Sequence, residues 1–394
     1  MNVKKVKTAV IGCGMISNIY IRNLKNMFYI IDLVAVCDVF PAAAEEKAKT
    51  FGVEKIMTIE EIAQDPEIEL VINLTGPGVH YQIIKQMLEA GKHVFTEKIF
   101  TTDLEQSKEL VRLADEKGPY LGVAPDTVLG ADVQTAKKII ESGLIGQVTS
   151  VQATINRNQL MNSETFRVLR GAGGQLPYDL GIYYVATLLA ILGPVQEITA
   201  FGNPAPLHEP ELLTINGELD PWQIPGNNVM TAALRFENGA IGTLHFDGNT
   251  ISAEQHAITI FGTEGIIKVG DPNFFGSEVT LIRGETGECK VPFTHGFDGK
   301  NRISDPQWFD AYGHRGIGAA ELAWALRTGR KQIRCSKEFG LHCQEVLLGM
   351  DQSVAEGKIY KTESRFVMKG LESGHYDTVS NGFMNGSAEK SLVR

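Results

Sequence analysis

Five short apolar runs with almost no polar alternation, at 6–11, 33–37, 69–74, 92–96 and 120–124, punctuate the first 125 residues of this chain. Helical stretches at 17–26, 41–51, 79–90 and 104–117 separate them. Strands of that kind are buried on both faces, and their alternation with helices is the pattern of βαβ units. It predicts a doubly wound parallel sheet with right-handed crossovers. At roughly 100–200 residues per domain, the 394-residue chain has room for a second domain.

The texture changes after about Pro125. A helix over 132–141 stops at Ser142-Gly143, and a strand over 148–156 leads through a loop to a helix over 177–192. From 196 to about 291 strand follows strand, as at 229–236, 240–246, 257–261 and 266–269. The junctions Glu237-Asn238-Gly239 and Thr263-Glu264-Gly265 suit antiparallel hairpins. Helices over 317–328 and 337–356 follow. The second domain is expected to be α+β with a mostly antiparallel sheet. The division is 1–126, then 127–370, then a polar arm or tail over 371–394 rich in Ser, Gly and Asn.

Thirty-seven basic against 47 acidic side chains give a net charge of −10, which disfavours nucleic acid and anionic membrane as partners. The apolar run after the basic start is short and holds Gly12 and Gly14, so no signal peptide is expected. The apolar stretch 185–192 is far below the ~20 residues a bilayer span requires. The cysteines, 13, 37, 289, 335 and 343, are odd in number and form no CxxC pair. That argues against a disulfide framework and a zinc site, and for a reducing cytoplasm. The nine histidines show no metal-binding spacing, so no metal is expected.

Gly12-Cys13-Gly14-Met15-Ile16-Ser17 follows the first strand and opens the first helix. The first Gly permits a tight turn, the second lets backbone approach a pyrophosphate, and the small Ser17 allows close helix–strand packing. Asp38, at the end of the second strand, suits the two ribose hydroxyls and repels a 2′-phosphate. NAD is therefore expected over NADP.

Two further stretches resist explanation as packing. Glu97-Lys98 falls at the carboxyl end of a buried strand, the edge where open α/β sheets bind ligands. A lysine there can hydrogen-bond a substrate hydroxyl and ease its deprotonation. In Gly173-Gly174-Gln175-Leu176-Pro177-Tyr178-Asp179-Leu180-Gly181-Ile182-Tyr183-Tyr184, Asp179 and Tyr183 lie four apart, on one face of a helix.

With GCGMIS, Asp38, AGKHV…EK, GGxxxDxGxY and the helix over 315–330, the sequence resembles the Gfo/Idh/MocA family over about residues 6–365. The resemblance implies a Rossmann domain plus an α/β domain whose open sheet commonly mediates oligomer contacts, hence a homodimer or homotetramer. It implies NAD(P)-dependent oxidation of a sugar, cyclitol or sugar-derivative hydroxyl, or the reverse reduction. By position Lys98 resembles the catalytic lysine of a Glu-Lys-Pro motif and Asp179 the family's substrate-binding Asp. Tyr183 stands where members carry His or Tyr. Three departures are Ile99 for Pro, Thr75-Gly76-Pro77-Gly78-Val79-His80 for Thr-Pro-Asn-x-x-His, and Ala124-Pro125-Asp126-Thr127 for an Asn-Arg pair.

The expected catalytic set is Lys98, Asp179 and Tyr183. Gly12, Gly14, Met15, Ile16, Asp38, Thr75, Gly76, Pro77, His80, Glu97, Lys98 and Asp126 are expected to meet the cofactor. Arg157 and Arg170 join the catalytic set in holding substrate. One of Tyr183 and Tyr184 is expected in the core, since neighbours on a helix face different ways. His93 is expected to be structural. His314-Arg315 precedes a helix at a junction suited to substrate or subunit contact, and His295 and Trp308 lie in a segment suited to covering the site. Two other outcomes fit the same residues: NAD-dependent glycoside cleavage through transient oxidation and elimination, and a non-catalytic sensor of NAD or sugar.

Overall fold

The computed structural model describes residues 3–204, 213–215, 218–220, 226–250, 256–284, 287–299 and 313–371. Trp308 and the expected tail beyond 371 lie outside them.

The first sheet is built from β1 (Val6–Ile11), β2 (Ile31–Cys37), β3 (Lys55–Ile56), β4 (Leu70–Asn73), β5 (His93–Thr96) and β6 (Leu121–Val123). All neighbours pair in parallel, in the order β3-β2-β1-β4-β5-β6. Every residue of β4 and β6 is buried, as the unbroken apolar runs require. The connecting helices are α1 (Ser17–Asn26), α2 (Pro41–Phe51), α3 (Ile59–Gln64), α4 (Pro77–Glu89) and α5 (Leu104–Lys117). The short β3 and α3 were not among the expected elements. Two residues of strand carry no periodicity, whereas α3 has a capping box between Thr58 and Glu61.

A second sheet of nine strands follows. Its components are β7 (Val148–Asn156), β8 (Val195–Pro204), β11 (Asn227–Phe236), β12 (Ile241–Asp247), β13 (His256–Gly262), β14 (Ile266–Val269), β15 (Val279–Arg283), β16 (Gly287–Lys290) and β17 (Tyr360–Lys361); β9 (Leu213–Ile215) and β10 (Glu218–Asp220) form a separate pair. The order is β16-β15-β14-β13-β7-β12-β11-β8-β17, antiparallel except where β7 meets β12. Alternation along β11 and β12 buries Met230, Leu234, Leu244 and Phe246 on one face and exposes Thr231, Ala233, Thr243 and His245 on the other.

The inner face is covered by α6 (Ala131–Glu141), α9 (Gly181–Leu192) and α11 (Lys337–Glu356), with α7 (Gln159–Thr165) and α8 (Leu176–Asp179) leading into α9. All twelve residues of α9 are buried, which fits a helix apolar on every side. The expected single helix over 177–192 is two, interrupted at Leu180. α10 (Ile317–Thr328) returns to pack on β5 and β6, so this late segment completes the first sheet's shell. The open edge of β6 is closed by a bridge from Gly122 to Ser336. No described helix is long and apolar enough to cross a membrane.

Candidate active site

Strand order reverses between β1 and β4, and the crevice beyond their carboxyl ends is where ligands bind in such sheets. Gly12 has φ +100°, and a Cβ there would lie 2.6 Å from the Leu74 carbonyl carbon. Only glycine lets the two strand ends approach so closely. A Cβ on Gly14 or Gly78 would meet nothing within 4 Å, so the space above both turns is open. Ser17 donates to the Gly14 carbonyl at 2.6 Å and closes the turn. Asp38 accepts from the Cys13 N–H at 2.7 Å and the Phe40 N–H at 2.9 Å, which fixes its carboxylate at the crevice rim. Both α1, entered through Met15 and Ile16, and α4, entered through Gly76 and Pro77, start here without a side-chain cap. Their helix N-termini suit an anion, and exposed Met15, Val39, Phe40 and Val79 supply apolar rim. Open glycine turns, uncapped helix starts and an acidic residue at the end of β2 fit a dinucleotide.

Thr75 and His80 shape this crevice from one side. The Thr75 hydroxyl donates to Asn73 Oδ1 at 2.7 Å. The His80 ring is fully buried, with its nitrogens 2.9 Å from the Thr75 carbonyl and 2.7 Å from the Ile99 carbonyl. Expected at the cofactor, His80 instead ties the cofactor-side loop to the segment after β5, and burial holds its pKa below the ordinary histidine value.

β5 delivers Glu97 and Lys98. Glu97 turns inward: its carboxylate accepts from the Tyr20 hydroxyl at 2.6 Å and the Lys98 N–H at 2.9 Å, so its oxygens are committed beneath α1 rather than to the crevice. The Lys98–Ile99 and Ala124–Pro125 peptides are cis. Lys98 Nζ donates to the Asp179 carbonyl at 2.6 Å and to Asp179 Oδ1 at 3.0 Å. That bond explains the interruption at Leu180. The Asp179 carbonyl, which would accept the Tyr183 N–H in a continuous helix, is taken by lysine, and Tyr183 N–H bonds Leu180 at 3.1 Å instead.

The capture leaves Asp179 and Tyr183 both facing Lys98, whose Nζ lies 5.4 Å from the Tyr183 ring centre. Gln159, at the start of α7, donates to Asp179 Oδ2 at 3.0 Å and to the Gly174 carbonyl at 2.8 Å. Arg315 donates to the Tyr183 hydroxyl at 3.2 Å. Tyr184 points the other way, fully buried, edge-on to Phe246 and bonded to Asp271. Both tyrosines are buried in the core, and Tyr183 is the one that faces Lys98.

Burial pulls the Lys98 ammonium down, but Asp179, Tyr183 and Glu97 outweigh it and hold its pKa above the ordinary lysine value. Burial pushes Asp179 up, yet Lys98 and Gln159 leave it below the ordinary carboxylate value. The Tyr183 phenol stays raised by burial despite Arg315 and Lys98. A permanently charged lysine, an ionised carboxylate and a protonated phenol thus converge at one sheet edge.

Residues 6–124 match the GFO/IDH/MocA family model described as an oxidoreductase family with an NAD-binding Rossmann fold. Residues 133–268 match its model of the GFO/IDH/MocA C-terminal domain. The chain belongs to the GFO/IDH/MocA family. Residues 6–124 are thus that family's NAD-binding Rossmann domain. Among curated relatives, an oxidoreductase of Schizosaccharomyces pombe is 34% identical over 50% of this chain and 54% of its own length. A scyllo-inositol 2-dehydrogenase (NADP(+)) of Bacillus subtilis is 31% identical over 50% and 55%. The chain thus spans about half the length of these two relatives. The NAD(+) scyllo-inositol 2-dehydrogenase of Bacillus subtilis is 26% identical over 68% of this chain and 74% of that protein. A levoglucosan dehydrogenase solved with NADH and L-sorbose shares the fold at TM-score 0.77 and 19% identity, over 91% of this chain and 99% of that one.

Within this family member, two expected positions move. Asp126, expected to face the nicotinamide ribose or substrate, is fully buried, where its Oδ2 accepts the Gly316 and Gly318 N–H groups at 2.8 and 3.2 Å. Burial pushes it up to about 6 against the pull of Arg315. His295, expected in a covering segment, is buried and lies 3.0 Å from the Leu371 carbonyl. Arg157, just after β7, is partly buried and its charge acts on Asp179; Arg170 is partly buried at the end of the 3-10 turn Arg167–Arg170 that follows α7. His93 accepts from the Tyr120 N–H at 2.9 Å and is structural. Gln159 went unread in sequence, although Asn158 before it is a capping residue that marks the helix start.

Proposed function

We propose that this NAD-binding oxidoreductase oxidises a secondary hydroxyl of a sugar, glycoside or cyclitol. The observation that carries the reading is the convergence of Lys98, Asp179 and Tyr183 beside the β1–β4 crevice. Gly12, Gly14, Met15 and Ile16 would hold the pyrophosphate of NAD, Asp38 its adenosine ribose, and Thr75, Gly76 and Pro77 its flank. Asp38 supports NAD over NADP, because a 2′-phosphate would meet a carboxylate. Bound NAD supplies the hydride acceptor.

Lys98 remains charged at neutral pH, so it donates to the substrate hydroxyl oxygen and favours the alkoxide rather than removing the proton itself. For oxidation the Tyr183 phenol first releases its own proton to solvent, and the phenolate, stabilised by the Lys98 and Arg315 cations, then takes the substrate's proton. Asp179, ionised and bonded at both oxygens, orients Lys98 and suits alignment better than proton uptake. Arg157 and Arg170 would bind outlying substrate oxygens. Two relatives that are scyllo-inositol dehydrogenases support a polyhydroxylated substrate. We read the outer face of the nine-stranded sheet, with Phe201 83% and Ile241 55% exposed, as the contact of a homodimer or homotetramer, which sedimentation would test. Five free cysteines support a reducing, cytoplasmic setting.

The test is NADH formation by purified protein across a panel of sugars and cyclitols. Lys98→Ala should lower kcat about 10²–10⁴-fold. Full turnover in that variant removes Lys98 from the mechanism, and hydrolysis of a glycoside without NADH release selects the elimination chemistry instead.

A further inference from the structure

Arg315 lies just ahead of α10, and its side chain is 1% exposed. Its guanidinium sits 5.0 Å from the Tyr183 ring centre and donates to the Tyr183 hydroxyl at 3.2 Å. The same nitrogen donates to Asn273 Oδ1 at 2.8 Å and to the Asn273 carbonyl at 3.3 Å. Its other terminal nitrogen lies 3.7 Å from Asp126 Oδ1. A buried guanidinium is costly, and packing alone would be served by an apolar side chain of similar size. Here the charge is held on two sides and aimed at a phenol that Lys98 already approaches from another.

The phenol oxygen accepts from Arg315, and no described residue accepts the phenol's own proton. That proton is left for an incoming oxygen. The charged groups around the ring are Lys98 and Glu97 after β5, Asp179 at the end of α8 and Arg315 before α10. Asp126, Glu97 and Tyr20 face Arg315 itself, and Asp271 faces the neighbouring Tyr184.

We propose that Arg315 is a positioning residue for proton exchange at Tyr183, fixing the phenol oxygen and stabilising the phenolate; this rests on the reading of Tyr183 as the proton-exchanging group. In the oxidative direction the substrate O–H bond breaks and its proton joins the phenolate oxygen. In reduction the Tyr183 O–H bond breaks, its proton goes to the substrate oxygen, and the electron pair stays on the phenol oxygen beside Arg315. Asn273 and Asp126 keep the guanidinium in place through both.

The experiment is fluorine NMR of full-length protein labelled with fluorotyrosine, whose phenol is more acidic than tyrosine's, with the Tyr183 resonance assigned through Tyr183→Phe. Arg315→Met should raise the Tyr183 titration midpoint by about 1–3 pH units and leave the other tyrosines in place. Arg315→Lys, which keeps the charge and loses the fork, should fall between. An unchanged midpoint in folded Arg315→Met overturns the proposal; where that variant does not fold, an unchanged midpoint in Arg315→Lys does so. In turnover, Arg315→Lys should move the limb of the kcat–pH profile in the same direction with KM nearly constant. A moved midpoint with no turnover on any polyol defeats the proposed function and leaves the coupling standing. Turnover with an unmoved midpoint defeats the coupling alone.

Discussion

Replacing Asp179 by Asn removes one charge and leaves the Lys98 ammonium with neutral amide-oxygen acceptors only. In the native protein Nζ lies 3.0 Å from Oδ1 and 2.6 Å from the Asp179 carbonyl, and the two side chains are 18% and 17% exposed. An opposite charge at this range moves a lysine by about 1–3 pKa units. At about 1.36 kcal/mol per unit, that is about 1.4–4 kcal/mol. In Asp179→Asn the Lys98 value should drop by that amount, because burial is then opposed only by Tyr183 and Glu97. The pH dependence has a definite sign. Native Lys98 lies above its unfolded value, so its contribution is complete below about pH 10 and is lost as pH rises through the folded value. Native Asp179 lies below its unfolded value, so its contribution is present above about pH 4 and is lost as pH falls through the folded value. The pair therefore stabilises the whole interval between. Its loss should cost about 3 kcal/mol, the low end for breaking a buried pair, since the carbonyl bond remains. Urea unfolding near neutral pH reads that cost, and NMR titration of isotope-labelled lysine reads the midpoint. A Lys98 midpoint unchanged in the variant, or a loss below about 1 kcal/mol, would refute the reasoning.

Gly12→Ala puts a methyl 2.6–2.8 Å from Leu74 and Thr75 backbone atoms at φ +100°, so thermal unfolding should reveal about 1–3 kcal/mol of destabilisation and calorimetry weaker NAD binding. Asp38→Ala frees the Cys13 N–H and removes the repelling carboxylate, so the ratio of NADP to NAD affinity should rise at least tenfold, worth about 1.4 kcal/mol. Burial pushes the Cys13 thiol up to about 12 and Cys37 up to about 11, and holds Cys335 and Cys343 far above the ordinary thiol value, whereas Cys289 is exposed. Alkylation of native protein at neutral pH should add one group, at Cys289, by intact mass; rapid modification of Cys13 would contradict the burial. Gly174→Ala would set a methyl 1.9 Å from the Leu169 carbonyl oxygen, so the Gln159–Asp179 contact should loosen and kcat fall while NAD affinity holds.

The sequence made the first sheet legible because parallel strands buried on both faces leave unbroken apolar runs, and β1, β2, β4, β5 and β6 all fall on them. The glycine turn was legible for the same local reason. Lys98 and Asp179 could be named singly, but their bond spans 81 residues and no periodicity encodes it. The interruption at Leu180 was hidden likewise, since a lysine from another sheet's edge takes the helical carbonyl. The burial of Asp126 is not legible in sequence, because an aspartate beside a strand end looks solvent-facing. Only the fold reveals that two N–H groups at the start of α10 claim it. Arg315 was visible as a basic residue before a helix, but its partner Tyr183 lies 132 positions earlier.

The site is assembled from element ends rather than element interiors. Lys98 follows β5, Asp179 ends α8, Tyr183 lies in the first turn of α9, Gln159 opens α7, and Arg315 precedes α10. Around the site some rules of local structure are relaxed: α8 and α9 do not join, and α1 and α4 start uncapped. Gln159 Oε1 is buried with no hydrogen-bond partner among the described residues. Backbone groups released from secondary structure are what hold the chemistry, as when the Asp179 carbonyl receives lysine in place of its helical N–H. The charge state of Lys98 and the orientation of Tyr183 therefore share one cause, the docking of α8 and α9 against the end of β5. Neither can be tuned without disturbing the other. Arg315 escapes that constraint, because Asn273 and Asp126 anchor it independently of Lys98. It is the point at which the acidity of the phenol can be set while the lysine–aspartate pair stays intact.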